Sequence, residues 1–158
     1  MKTCELTIKY HVARPEELTE RDRELLEKAC EATETSYAPY SDFHVGAAVR
    51  LDNGAVFSGS NQENAAFGAG TCAERCTLFY AHAAHPEVGV EVIAIAARGR
   101  SGDFTRRAIS PCGICRQALI EAQQRAGHPV RVLLFGADEV LVFESVSALL
   151  PFQFDEIV

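Results

Sequence analysis

Two stretches of the chain place thiols beside features that start helices. The first is Thr71-Cys72-Ala73-Glu74-Arg75, entered through the Gly-rich loop Phe67-Gly68-Ala69-Gly70; the second is Ser110-Pro111-Cys112-Gly113-Ile114-Cys115-Arg116-Gln117. Proline suits the first helical position because the N–H it lacks is unpaired there anyway, so Pro111 predicts a helix beginning beside Cys112. Thiols at a helix N-terminus meet unpaired N–H groups and the positive end of the macrodipole, which favours the thiolate. Three thiolates, Cys72, Cys112 and Cys115, can converge on one zinc ion and leave the fourth position open, as catalytic rather than structural zinc sites do. Glu74 then stands near the metal without being its ligand, a base beside an activated water. Zinc lowers the pKa of bound water from about 15.7 towards about 7. Three thiolates weaken that effect, so the helix N-termini and a guanidinium from Arg75 or Arg116 must offset their charge.

C-A-E followed by P-C-G-I-C matches the signature of zinc deaminases acting on nucleobases, with Cys72 in the first ligand position. Further blocks accompany it: Tyr37-Ala38-Pro39-Tyr40-Ser41, Phe43-His44-Val45-Gly46-Ala47-Ala48 and Asn61-Gln62-Glu63-Asn64-Ala65. From about Ser36 to Phe154 the chain resembles the small three-cysteine cytidine deaminases. The resemblance implies zinc-dependent hydrolysis of cytidine and deoxycytidine to uridine and deoxyuridine with release of ammonia, a reaction of pyrimidine salvage. It also implies a homotetramer with active sites shared between subunits. On the same ground Glu74 is the catalytic acid–base group, and Arg75 supports the sulfurs. The resemblance further has Phe43 line the base pocket, while the backbone at Ala73 and the Ser110 carbonyl hold the amino group. Tyr40 reaches a neighbouring subunit's site, and a tail aromatic, Phe154 or alternatively Phe152, stacks on the pyrimidine across the interface.

Asn61 and Glu63 follow a strand, and residues two apart in extended backbone face the same side. An amide beside a carboxylate suits the vicinal hydroxyls of ribose, which both donate and accept, and the resemblance gives the pair that role. The carboxylate would repel a phosphate, so the expected substrate is a nucleoside rather than a nucleotide. The plainer use of both residues is to tie down their own loop through backbone hydrogen bonds.

The net charge of −7 argues against a nucleic-acid groove, whose affinity rests on Lys and Arg. The first residues, Met1-Lys2-Thr3-Cys4-Glu5, turn polar at once instead of forming a basic-then-apolar leader. The expectation is a cytoplasmic protein with reduced thiols and no membrane association. The 158 residues read as one unit, 1–158, with 1–13 as an N-terminal arm or edge strand.

The elements that must position these residues follow from periodicity. Leu6 to Val12 alternates as a half-buried strand does. Arg14-Pro15-Glu16-Glu17 introduces a helix reaching about Thr35, with Leu18, Leu25, Leu26, Ala29 and Ala32 on one face and Cys30 as a core cysteine. Strands are predicted at 43–50 and 55–60 around the Asp52-Asn53-Gly54 turn, with Gly46 to Ala48 small enough to admit a close neighbour. A helix over 72–84, an apolar central strand at 90–97 and a helix over 112–126 stopped by Gly127 and Pro129 follow. Strands at 130–135 and 139–143 and a short helix at 145–150 close the chain. The expected fold is α/β, a three-layer α/β/α sandwich around a mixed five-stranded sheet with the extra N-terminal strand.

Two other readings stay open on sequence. Cys76, where the family usually has Thr, stands four residues after Cys72; on one helix face the two would complete a closed Cys4 structural zinc module with Cys112 and Cys115. A blasticidin-type aminohydrolase of the same fold shares both cysteine motifs, although the Asn61-x-Glu63-Asn64 block is not expected there.

Overall fold

The computed structural model describes residues 1–155, so the last three positions of the expected 1–158 unit lie outside the described residues. Its centre is the strand β4 (Val90–Arg98), apolar on both faces because both are covered. Beside it on one side runs β2 (His44–Leu51), antiparallel, and then β3 (Val56–Ser60) across the hairpin. Gly54 supplies the left-handed backbone (φ 85°) that this turn demands and that a side chain would strain. On the other side lie β5 (Arg131–Phe135), parallel to β4, then β6 (Val140–Phe143) and finally β1 (His11–Ala13). The order β1-β6-β5-β4-β2-β3 makes one mixed sheet of six strands, the sixth being the N-terminal strand added to the expected five.

That added strand is shorter than its sequence pattern. Only His11–Ala13 pairs, with Val142 to Val140 of β6, while Leu6 and Ile8 stay exposed. β6 is itself only four residues long and gives the arm no further partner. The first helix also starts later than expected. Pro15–Glu17 forms a separate 3₁₀ turn, and α1 (Glu20–Ala32) begins at Thr19, whose side chain accepts the Asp22 N–H.

Helices cover both faces. α1 lies alone on one, its Leu25, Leu26 and Ala29 packed against Ala48, Val92, Ala94 and Leu133. Cys30 is half-buried in that layer, and desolvation pushes its thiol up to about 11, which leaves it inert at neutral pH. The opposite face carries α2 (Ala73–Ala84) and α3 (Gly113–Ala126), packed over Ala47, Val49, Ile93, Ile95 and Leu134. Each fully buried Leu or Ile in these layers is worth about 1.5–3 kcal/mol relative to exposure.

Gly46 is where the sheet meets α1 most closely. A Cβ there would lie 2.1 Å from the Ala29 carbonyl oxygen and 2.7 Å from the Thr33 nitrogen, a clash with backbone that cannot yield. The expected α/β/α sandwich is therefore present, with the starts of α2 and α3 emerging on one side of the sheet.

Candidate active site

Both helix starts carry a cysteine in the capping position. Cys72 (φ −73°, ψ 152°) precedes α2 and Cys112 (φ −65°, ψ 165°) precedes α3, and neither side chain accepts a capping hydrogen bond. The sulfurs thus sit beside amide groups that no capping side chain neutralises. Pro111, expected at the first helical position, instead stands just before the cap, because Cys112 keeps extended backbone and Gly113 opens the helix.

The Sγ atoms of Cys72, Cys112 and Cys115 all lie within 4.8 Å of one another, with Cys72 and Cys112 3.9 Å apart. A tetrahedral zinc with Zn–S near 2.3 Å requires sulfurs about 3.8 Å apart, so the donor set fits that ion. Cys76 is not in the cluster, which overturns the closed Cys4 module. The reason is local. Cys72 is extended rather than helical, so the i, i+4 relation that would align it with Cys76 does not apply, and the Cys76 sulfur packs towards Gly59 of β3.

Of the two candidate guanidinium groups, Arg75 does the supporting. Its Nη2 donates to the Cys72 sulfur at 3.9 Å. Arg116 instead donates Nε to the Pro111 carbonyl at 2.8 Å and Nη1 to the Leu149 carbonyl at 2.8 Å. It braces the backbone around α3 and leaves the sulfurs to Arg75. Of the three thiols, Cys72 is the one whose surroundings favour the thiolate. Hydrogen bonding from Cys115 lowers its thiol to about 5 against the cost of burial, and Arg75 and Cys112 add to the effect. Cys115, facing that thiolate and buried, is pushed up.

Glu74 is the second residue of α2, and only 4 % of it is exposed. Burial raises its pKa, and the charge on Cys72 adds to the rise; its own backbone N–H, the Cys115 thiol and Arg75 pull the other way. A carboxyl group held back from ionising beside a cluster of metal-binding sulfurs is suited to taking and returning a proton.

In front of Cys72 and Arg75 opens a cleft of about 310 Å³, lined also by Tyr40, Asn61, Glu63 and Phe67. The expected juxtaposition of Asn61 and Glu63 with the sulfur corner is therefore present, and its cause is main-chain pairing. Gln62 exchanges hydrogen bonds with Thr71, 2.9 Å each way, while Tyr37 donates to the Asn61 carbonyl and accepts from the Glu63 N–H. This double clamp ties the segment after β3 to the loop entering Cys72. The same two side chains also do the plainer work. Asn61 Oδ1 accepts from the Val45 N–H and the Ser36 hydroxyl, and its Nδ2 donates to the Phe43 carbonyl. Glu63 Oε2 accepts from the N–H groups of Tyr40 at 2.8 Å and Ser41 at 3.2 Å. These bonds, with the Ser41 hydroxyl first among them, hold the carboxyl below its usual pKa.

Ala73 is fully buried as the first residue of α2, directly beside the sulfurs. Phe43 is half-buried at the entry to β2, and Ser110 is exposed just before Pro111; neither lines the cleft. Phe154 and Phe152 are exposed on the tail, away from the cleft of their own chain. Gln62, Asn64 and Phe67 line the cleft without having been singled out for it. Phe67, 80 % exposed, meets Tyr40 edge to face at 6.0 Å, and its place in the Gly-rich loop was the available signal.

Residues 19–127 match the family described as "Cytidine and deoxycytidylate deaminase zinc-binding region". The chain is 45 % identical over 101 residues to the cytidine deaminase of Halalkalibacterium halodurans, covering 63 % of this chain and 71 % of that protein. A crystal structure of cytidine deaminase from Burkholderia pseudomallei superposes with a TM-score of 0.74 at 40 % identity, over 87 % of this chain and all of that one. The cytidine deaminase structure from Mycobacterium tuberculosis gives a TM-score of 0.65 at 28 % identity, over 84 % and 96 % of the two chains.

Proposed function

The chain belongs to the cytidine and deoxycytidylate deaminase family, and from that premise we propose that it hydrolyses cytidine and deoxycytidine to the uracil nucleosides, releasing ammonia. The observation that carries this reading is the meeting of three mutually close thiols, a buried Glu74 and a cleft at one corner.

Cys72, Cys112 and Cys115 hold the zinc, which when bound supplies the Lewis acidity that makes water nucleophilic near neutral pH. Glu74 takes the proton that water releases on adding to C4 and delivers it to N3. It then carries the hydroxyl proton to the departing amine, so that the uracil nucleoside and ammonia leave and the carboxylate is restored. Its burial supports this, because a desolvated carboxyl group exchanges a proton more readily near neutrality than an exposed one. Arg75 balances the sulfur charge through Cys72. The Ala73 backbone and the Ser110 carbonyl are assigned to the substrate amino group.

Asn61 and Glu63 hold the sugar. A carboxylate offers about four acceptor sites and an amide nitrogen two donors, so the backbone bonds described above leave capacity for ribose hydroxyls. Because Glu63 is ionised well below neutral pH, a phosphorylated substrate is disfavoured.

Subunit sharing completes the site. Phe79, Tyr80 and Ile114 on α2 and α3 are exposed, as are Phe152 and Phe154 on the tail. Aromatic and aliphatic surface of this kind supports a homotetramer in which Phe154 stacks on a neighbour's pyrimidine, whereas Tyr40 lines the cleft of its own chain and Phe43 stands outside it. Among the described residues no helix is long and apolar enough to cross a membrane, and six free cysteines suit the reducing cytoplasm.

The deciding experiment is to purify the chain, count zinc per protomer and follow cytidine absorbance together with ammonia. About one zinc per chain and stoichiometric ammonia are expected. A zinc-loaded protein that leaves cytidine and deoxycytidine untouched, whether or not it deaminates their phosphates, would overturn the assignment.

A further inference from the structure

One side of α3 is a row of hydrogen-bond donors, and all of them reach the chain after β6. Arg116 Nη1 donates to the Leu149 carbonyl at 2.8 Å, and Gln117 Nε2 to the Phe154 carbonyl at 2.6 Å. Roughly two helical turns further on, Gln123 Nε2 donates to the Ser147 hydroxyl at 2.9 Å, and Gln124 Nε2 to the Asp155 carbonyl at 2.9 Å. The inner pair, Arg116 and Gln123, fixes the 3₁₀ turn Val146–Leu149. The outer pair, Gln117 and Gln124, fixes the tail itself. Between these anchors Gln153 turns inward, half-buried, with its Oε1 withdrawn from solvent and its Nε2 on the Asp155 carboxylate at 2.7 Å. Phe152 and Phe154 flank it and face outward, 92 % and 67 % exposed.

We propose that Gln117 and Gln124 are positioning residues for deamination: they strap the tail along α3 so that Phe154 is presented, already ordered, to the active site of a second copy of the chain. The proposal rests on the shared-site reading above. Its physical logic is entropic. An untethered tail must be immobilised each time the aromatic ring stacks, whereas a strapped one has lost that freedom on folding. α3 is also the helix that begins at Cys112 and carries Cys115. One rigid element therefore sets both two of a protomer's own three sulfur ligands and the aromatic group it lends to its neighbour.

Gln117→Met with Gln124→Met keeps the packing volume and removes both donors. Michaelis constant and kcat for cytidine, zinc per chain and assembly mass are measured for this variant, for Phe154→Ala and for the triple variant. Phe154→Ala should raise KM roughly tenfold through the lost stacking. The Gln pair should raise KM by about fivefold or more, each backbone bond being modest in net worth, with kcat, zinc and mass little changed. The triple variant should match Phe154→Ala, since a strap with no ring to present has nothing left to contribute. Should the double variant unfold, Gln124→Met alone, far from the sulfur corner, must still raise KM. Wild-type KM in the Gln variants beside a raised KM in Phe154→Ala overturns the strap. Wild-type KM in Phe154→Ala itself overturns the shared site, and the strap with it.

Discussion

Two clusters of polar side chains, each with a buried carboxyl group at its centre, are completed to different degrees. Between α1 and the sheet, Asp22 (side chain 3 % exposed) accepts from Arg50 at 2.9 Å and Arg131 at 3.0 Å. Arg50 (5 % exposed) also donates to both Glu91 oxygens and to the Arg21 carbonyl. Every charge there has its opposite. At the starts of α2 and α3 the accounting stays open: three thiols crowd together, Glu74 is buried with its pKa raised, and Arg75 Nε is buried without a partner among the described residues. A closed network fixes a helix to a sheet. An open one keeps unspent interactions for a metal and a substrate, which is why perturbed groups gather where chemistry occurs.

Breaking each group should therefore give opposite phenotypes. The largest effect is expected from Glu74→Gln, which keeps size and packing but removes the proton carrier. Deamination should fall by about 10²–10⁴-fold, with zinc content and urea midpoint close to wild type; a variant retaining a tenth of the activity would remove Glu74 from the mechanism.

Asp22→Asn should do the reverse, costing about 3 kcal/mol because it removes the buried carboxylate that two guanidinium groups share and leaves Arg50 to Glu91 and Arg131 to Glu144, while activity per folded molecule is retained. Urea unfolding and active-site titration separate the two. Burial opposes ionisation of Asp22, but hydrogen bonds from Arg131 and Arg50 outweigh it and hold the carboxyl below its usual pKa. Between that lowered value and the unfolded value of about 3.9 the unfolded chain binds more protons. The stabilisation is thus fully present above about pH 3.9 and is lost as pH falls through the folded value. The wild-type advantage over Asp22→Asn should be flat from pH 5 to 8 and shrink only in strong acid.

The smallest effect belongs to an exposed pair used as a control. His128 Nε2 meets Asp52 at 2.9 Å, and that hydrogen bond raises the imidazole pKa. The pair's stabilisation is fully present below about pH 6.5 and is lost as pH rises through the folded value. Asp52→Asn should return the His128 titration, followed by NMR, towards about 6.5 and leave deamination unchanged.

Which residues could carry chemistry was legible in the sequence, because it depends on residue type and short-range spacing. Cys72, Glu74 and Arg75 lie on one helix start, and Cys112 and Cys115 on another. The order of elements was legible for the same reason, since alternation and 3.6-residue periodicity are local properties. Element ends were less so. The N-terminal strand shrank to His11–Ala13 because pairing length is set by its partner, and Pro111 fell outside α3 because Cys112 took the cap.

Distances across the fold were decided by tertiary structure alone. Whether Arg75 or Arg116 reaches sulfur, whether Cys76 joins the cluster, and how Gln62 and Thr71 clamp the segment after β3 to the loop entering Cys72 depend on residues far apart in the chain. The physical reason is that a one-dimensional pattern determines which face a side chain occupies on its own element. Only the packing of elements against one another determines what that side chain meets.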